Sequence, residues 1–303
     1  MTRPIRIATR QSELALWQAR NVGDALGVPY ELVPVTTHGD RDLTSPLAVI
    51  GGQGVFVKEV QAAVLRQEAD LAVHSAKDLP SAQVEGLTIV ACPRRGDVRD
   101  SLVGASLEEL ESGAVVATGS ARRRALLLRK RPDLKVVEAR GNIRTRLERR
   151  QGAAAVMVAY AALTRLGLGE LAGQVFEAEE FCPQVAQGAI AVEARRGDLR
   201  ALEAVAGIDD PATTAEITAE RAMLAELGTG CTLPVGAFAR SGKGFLELYA
   251  MIASLDGLRM VEVTEGGGDP KAVGAAAGRR LLAGGGAELL AEAEASGSGR
   301  VID

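Results

Sequence analysis

Along the first hundred residues, short apolar runs alternate with longer stretches in which apolar positions recur every three or four residues. "IRIATR" (5–10) has strand alternation, and "SELALWQARNVGDALG" (12–27) has helical spacing, with Ser12 placed as an N-cap and Gly27 as a stop. "YELVPVTTHGD" (30–40) reads as a second strand. "GGQGVFVKEVQAAVLRQ" (51–67) reads as a glycine loop leading into a helix with Val57, Val60 and Val64 on one face. "ADLAVHSAKDLP" (69–80) supplies a third strand and its exit loop. Strands separated by helices need crossover connections, so the pattern predicts a mainly parallel sheet.

From Asp100 the pattern restarts. "AVVATGS" (114–120) is strand-like, "ARRRALLLRKR" (121–131) helical, "LKVVEARGN" (134–142) strand-like, "IRTRLERRQG" (143–152) helical and "AAAVMVAYAAL" (153–163) strand-like. The last ninety residues differ. A helix over "TTAEITAERAMLAELG" (213–228) precedes three alternating runs separated by "SGKG" and "DG", which predict an antiparallel meander, and an alanine-rich helix (271–295) follows. Two α/β units and a smaller α+β domain are the simplest organisation, with no solenoid-type repeat.

Composition narrows the function classes. With 47% apolar and 24% charged positions over 303 residues, the chain has material for two or three cores. No run of eighteen apolar residues could span a bilayer, and "MTRPIRIATRQ" has no apolar core of a signal peptide, so the expected location is the cytoplasm. Cys92, Cys182 and Cys231 are odd in number and far apart, and with only His38 and His74 they offer neither a disulfide framework nor zinc spacing. No metal site is expected. Cys231, in "LGTGCTLPVG" (227–236), is by its residues alone either a small buried hydrophobe or a thiol with a task.

The net charge is −4, yet between Arg122 and Arg150 twelve Lys or Arg stand against three acids. In open parallel sheets ligands sit beyond the C-terminal ends of strands. Thr9, Arg10 and Ser12, then His74 to Asp78, then Thr118 to Arg123, then Arg140 to Asn142 all follow predicted strands. Arginines at predicted helix starts oppose the helix dipole by about 0.3–1 kcal/mol each, a penalty that a bound anion reverses. The placement therefore implies a ligand with several negative charges, bound by Arg122, Arg123, Arg140 and Arg146. For Arg124, Arg129, Arg131, Arg149 and Arg150 a solvated helix face is an equal reading. Lys77 and Asp78 are either a surface ion pair or, among many cations, a carboxylate kept ionised to stabilise positive charge or handle a proton.

Taken in order, "IRIATRQSELALWQA", "GGQGVFVKE", "ADLAVHSAKDLP", "RGNIRTRL", "RLGL", "AQGAIAVE" and "GTGCTLPVGAF" resemble the porphobilinogen deaminase (hydroxymethylbilane synthase) family over residues 5 to at least 240. The resemblance implies two type II periplasmic-binding-protein-like α/β domains plus a smaller α+β C-terminal domain. Domain 1 would span 1–95 with a return segment 188–206, domain 2 would span 98–184, and the C-terminal domain 211–303. It implies a transferase that joins four porphobilinogen molecules head to tail, with loss of ammonia, into the linear tetrapyrrole hydroxymethylbilane. The primer would be a dipyrromethane cofactor held as a thioether on Cys231. Asp78 would be the catalytic carboxylate. Lys77, Asp78, Thr118, Ser120, Arg122, Arg123 and Arg146 would hold the cofactor, and Arg10, Ser12, Phe56, Lys58, Arg140, Arg146, Arg165 and Gln187 the substrate or growing chain. Gln53, Gly119 and Thr229 depart from the family's pattern.

The expected partner is the small molecule porphobilinogen, with no nucleic acid, no membrane and a monomeric chain. Two other classes stand beside this reading. A non-catalytic two-lobed anion-binding protein needs a cleft and arginines but has no use for "HSAKDLP" together with a cysteine loop. A nucleic-acid binder would want aromatic platforms, and no aromatic residue lies between Val57 and Ala159.

Overall fold

A computed structural model of the chain describes residues 3–37, 57–139, 141–148, 152–228 and 233–298. In chain order the elements are β1 (Ile5–Arg10), α1 (Glu13–Ala25), β2 (Tyr30–Val35), α2 (Lys58–Leu65), β3 (Leu71–Ser75) and β4 (Leu87–Ala91). Then come β5 (Asp100–Val103), β6 (Val115–Ala117), α3 (Ala121–Lys130), β7 (Lys135–Val137), α4 (Ile143–Glu148), β8 (Ala155–Ala159), α5 (Tyr160–Arg165) and β9 (Ala172–Val175). β10 (Ile190–Arg195), α6 (Leu199–Val205), α7 (Pro211–Glu226), β11 (Val235–Gly242), β12 (Phe245–Ala253), β13 (Met260–Gly267), α8 (Pro270–Leu281) and α9 (Ala287–Ser298) complete the chain. It divides into two compact units, Met1–Gly96 with Gly188–Ala215, and Asp97–Gln187 with Glu216–Asp303.

The first unit is built on a five-stranded sheet in the order β2-β1-β3-β10-β4. β1 is parallel to β2 and β3, whereas β10 runs antiparallel to both β3 and β4. Strand periodicity sorts the side chains: Ile7, Leu71, Val73 and Val192 pack with Ala19 and Val22 of α1, while Ala8, Ala72 and Leu87 pack with Val60 and Val64 of α2. Helices therefore cover both faces.

The second unit repeats this order as β7-β6-β8-β5-β9, with β6 parallel to β7 and β8, and β5 antiparallel to β8 and β9. Val103, Ala117, Val156, Val158 and Leu163 fill one face; Leu102, Val116, Met157, Leu126 and Leu127 fill the other. The second face is completed by Phe238, Met251 and Ala253 of the antiparallel sheet β11-β12-β13. Burying each such large side chain contributes roughly 1.5–3 kcal/mol, so the small sheet and the second α/β sheet share one core.

Three expectations change. The sheets are mixed, because in each the strand reached by passage from the other unit, β10 or β5, enters antiparallel. The strand over "AAAVMVAYAAL" stops at Ala159 and α5 begins at Tyr160; a continuous apolar run has no periodicity to separate a buried strand from a buried helix. The C-terminal helix is broken between α8 and α9, where Gly285 adopts φ +102° inside a π-helical turn. The meander and Ser12, which caps α1 by accepting from the Ala15 amide, are as the pattern predicts. No described helix is long and apolar enough to cross a membrane.

Candidate functional site

Because β1 and β3 are parallel neighbours, the residues that follow them emerge at one edge of the first sheet. Arg10 and Ser12 follow β1. Lys77 and Asp78 sit in a single 3-10 turn, Ala76–Asp78, directly after β3. That turn is held from several sides. The Ala76 amide donates to Ala189 O at 3.0 Å, and Gln18 Nε2 of α1 donates to Ser75 Oγ at 2.9 Å. One residue earlier, His74 Nε2 lies 3.2 Å from Glu193 Oε2, an oxygen that also accepts from Gln61 Nε2 at 2.8 Å. All three of these side chains are buried. The half-buried Asp78 at the end of this scaffold makes no hydrogen bond or ion pair to the described residues. Lys58, at the start of α2, is exposed.

In the second unit, β6, β7 and β8 are parallel, so the segments after them share an edge as well. Thr118, Gly119 and Ser120 follow β6 and lead into α3. Ser120 accepts from the Arg123 amide at 3.4 Å and donates its own amide to Thr118 Oγ1 at 3.3 Å. Gly119 lies against Ala139, whose carbonyl oxygen is 2.8 Å from where a Cβ would stand. Arg146 of α4 donates from Nε to Gly141 O at 2.8 Å. The half-buried Arg165 ends α5, and burial lowers its pKa to about 10.

Arg122 and Arg123, in the first turn of α3, do not reach outward. They converge on Asp100, the first residue of β5, which is wholly buried. Arg123 donates from Nε at 3.0 Å and Nη2 at 2.7 Å to Asp100 Oδ1, and from Nη1 to Met157 O at 3.2 Å. Arg122 Nη2 lies 2.8 Å from Asp100 Oδ2, and its Nη1 donates to Cys182 O at 2.6 Å. Gln187 Nε2 joins them, donating to Asp100 Oδ1 at 2.8 Å and Val98 O at 2.9 Å. Burial would raise the Asp100 pKa, but the two guanidinium groups and the Gln187 hydrogen bond outweigh it and hold the carboxyl at about 2. Burial lowers the Arg123 pKa, with Asp100 opposing.

Of the sequence-predicted site residues, Arg10, Ser12, Lys77 and Asp78 come together at one edge of the first sheet, and Thr118, Ser120, Arg146 and Arg165 at one edge of the second. Phe56, Arg140 and Cys231 lie outside the described residues, as does Gln53. The basic segment resolves in part: Arg124 donates to Val136 O, and Arg131 to Leu107 O, Leu110 O and Asp133, so both serve the fold. Arg129 is exposed and Lys130 pairs with Glu180. Arg149 and Arg150 lie outside the described residues.

Sequence reasoning missed Asp100, Glu193 and Glu220. Each left a trace, an acid inside or opening an apolar run. Glu220 stands on the buried stripe Ile217, Met223 and Leu224 of α7, and its carboxylate accepts from the amides of Ala186 at 2.6 Å and Ala239 at 2.8 Å. Among the described residues no group of His, Cys, Asp and Glu could hold a metal ion.

Comparisons with known proteins add a common ancestry to this geometry. The family model described as "Porphobilinogen deaminase, dipyromethane cofactor binding domain" matches residues 5–203, and that of the "Porphobilinogen deaminase, C-terminal domain" matches residues 214–283. The porphobilinogen deaminase of Roseiflexus castenholzii is 46% identical over 303 residues, covering 96% of this chain and 100% of that protein. Those of Moorella thermoacetica and Acidithiobacillus ferrooxidans are 44% and 41% identical, each covering 96% of this chain and 97% and 98% of the relative. A Bordetella pertussis extracytoplasmic solute receptor overlaps at 12% identity and a TM-score of 0.38, covering 68% of this chain and 77% of that one, too little to bear on function. With both family models placed in order and relatives matched over almost their whole length, the chain belongs to the porphobilinogen deaminase family.

Proposed function

We propose that this enzyme performs the family's reaction with Asp78 as its catalytic carboxylate. The reaction condenses four porphobilinogen molecules head to tail, releasing ammonia at each addition and yielding hydroxymethylbilane for tetrapyrrole biosynthesis. The observation that carries the assignment is the Asp78 carboxylate, uncommitted among the described residues, on a turn whose neighbouring residues Ser75 and Ala76 are held by Gln18 and Ala189.

Loss of ammonia from porphobilinogen leaves a cationic azafulvenium on the substrate. A carboxylate with vacant lone pairs, placed beside the pyrrole N–H, stabilises that cation and then the ring that must lose its α-proton. Arg10 and Ser12, at the same sheet edge, would receive the acetate and propionate groups, with the exposed Lys58 adding charge. Phe56 would stack on a pyrrole, and Arg140, Arg146 and Arg165 would bind the lengthening chain, whereas Gln187, expected there from the sequence, is wholly buried with Nε2 given to Asp100 and Val98 and would act through Asp100.

The residues present fit the dipyrromethane cofactor of this family. Thr118 and Ser120 offer hydroxyls at a helix start, and among the described residues the buried Arg122 keeps Nε without a hydrogen bond while its Nη2 faces Asp100 Oδ2. Such a donor set suits the carboxylates of a dipyrrole. Lys77, Asp78, Thr118, Ser120, Arg122 and Arg146 would hold the group, and Arg123, whose three nitrogens are all engaged internally, would act behind Arg122. Cys231 would carry the thioether. When bound, the cofactor supplies the nucleophilic pyrrole carbon to which the first substrate unit is joined.

Domain boundaries at 1–95 with 188–206, 98–184 and 211–303, a cytoplasmic location, a monomeric state and no nucleic-acid partner complete the reading. In support, Arg124 and Arg131, which a nucleic-acid surface would need free, serve backbone carbonyls. The test is the denatured mass of the purified chain followed by turnover of Asp78→Asn. An excess of two pyrrole units on the Cys231 peptide, with turnover lost in a loaded variant, is expected; near-normal turnover of Asp78→Asn sinks the catalytic assignment.

A further inference from the structure

We propose that Asp100 is a positioning residue for cofactor retention. It fixes Arg122 and Arg123 behind the Thr118–Ser120 loop and, through Gln187, ties that loop to both places where the chain passes between its two units. The inference rests on the function proposed above and names a residue the sequence pattern did not single out.

Two adjacent arginines in the first turn of a helix repel each other and oppose its dipole, and burial removes the water that would screen them. Among the described residues the single carboxylate between them is Asp100. One of its oxygens accepts from Arg123 and Gln187, and the other faces Arg122. Glu220, buried in the same unit, carries a second negative charge, but its oxygens accept from the Ala186 and Ala239 amides and not from either arginine. These three charged side chains, Asp100, Arg122 and Arg123, sum to one positive unit, and among the described residues the buried Arg122 Nε makes no hydrogen bond while its Nη2 faces Asp100 Oδ2. A bound anion complements that charge.

The cluster also touches the segments that matter for the cofactor loop. Arg122 Cδ lies 3.1 Å from where a Gly236 Cβ would stand, so the arginine packs directly against β11, which begins four residues beyond Cys231. Gln187 is the last residue of the second unit before the chain returns to the first, and Val98, whose carbonyl it holds, lies just after the outward passage. The preceding Ala186 has φ +59°, a left-handed conformation for a residue with a Cβ, and it is held by Glu220. Asp100 is thus the shared acceptor of the cofactor arginines and of the residue that joins the two passages.

The test compares wild-type protein with Asp100→Asn, which keeps the side-chain volume but removes the charge and presents an amide N–H₂ to a guanidinium. Denatured intact mass gives the fraction of chains carrying the two-pyrrole excess, before and after incubation with porphobilinogen, and thermal melting reports the fold. A folded Asp100→Asn is expected to show at least a tenfold lower loaded fraction and slower loading, with turnover per loaded chain within about threefold of wild type. Asp100→Glu, which restores the charge, is expected to recover at least half of the loading; a purely structural role would shift melting without this split. Loading of Asp100→Asn equal to wild type overturns the proposal. If Asp100→Asn does not fold, Gln187→Leu takes its place: a several-fold loading loss is expected, and unchanged loading overturns the proposal. A wild-type chain that carries no pyrrole excess and acquires none from porphobilinogen overturns the proposed function and this inference with it.

Discussion

The turn after β3 and the start of β5 each hold an aspartate, and the two are used in opposite ways. Asp78 stands half-buried with no partner among the described residues, on a turn that Ala189 and Gln18 hold rigid through its neighbours. Asp100 is buried, and Arg122, Arg123 and Gln187 consume its oxygens. A carboxylate meant to meet a developing cation must keep its lone pairs vacant, so the scaffold holds the backbone and leaves the side chain alone. A carboxylate meant to make two neighbouring arginines tolerable must give everything to them. Identical side chains diverge because one lies at a sheet edge and the other inside a core.

The sharpest way to break this contrast is to neutralise each carboxylate. Asp78→Asn should lower turnover by roughly 10²–10⁴ while changing urea-unfolding stability by less than about 0.5 kcal/mol. Asp100→Asn should do the reverse in stability, costing about 3–5 kcal/mol because two buried guanidinium groups lose their counter-charge. Equal stability losses in the two variants would dissolve the distinction.

A third aspartate calibrates the comparison. Asp70 precedes β3, at the opposite edge of the first sheet from Asp78, and pairs with Arg3 and Arg6 at 2.8 Å and 2.9 Å and with Arg200 at 3.2 Å. Arg3 and Arg200 keep 58% and 40% of their side-chain surface in solvent, so Asp70→Asn should cost about 1–3 kcal/mol and leave both cofactor loading and turnover unchanged. A loading defect there would mean that loading merely follows stability.

Acid titration reads out the two buried carboxylates. Desolvation would raise the pKa of Asp70 and Asp100, but their arginines hold both at about 2, below the unfolded value near 3.9. Folded values that are depressed add stability above the unfolded pKa, and that stability is lost as pH falls through about 4 toward 2. For Asp100 the loss is roughly 2 kcal/mol, so the acid limb of a stability–pH curve should flatten in Asp100→Asn. The smallest effect is expected for Arg129→Gln on the exposed side of α3, with stability within about 0.5 kcal/mol and loading unaltered; a loading loss would return that arginine to the site.

Much of this molecule is readable from the order of its residues. The caps of α1, the periods of α1 and α3 and the turns of the β11–β13 meander are local properties, decided by side chains a few positions apart, and the polar clusters after β1, β3 and β6 mark the ligand edges because parallel strands must end together. Arginine placement was readable as chemistry but not as destination. "ARRR" opens α3 with three cations in succession, and nothing in that string says that Arg122 and Arg123 turn inward to Asp100 while Arg124 caps Val136. Their destinations depend on β5 and β7, which lie across the sheet.

The sequence alone therefore determined the family, the α/β units and the candidate Asp78, since motifs and periods are written in neighbouring residues. Only the tertiary structure decided that β5 and β10 enter antiparallel, that α5 interrupts an apolar run, and that Glu193, Glu220 and Asp100 are buried acceptors. These outcomes rest on pairings between residues tens of positions apart, whose energies come from desolvation and hydrogen bonds that exist only once both partners are enclosed.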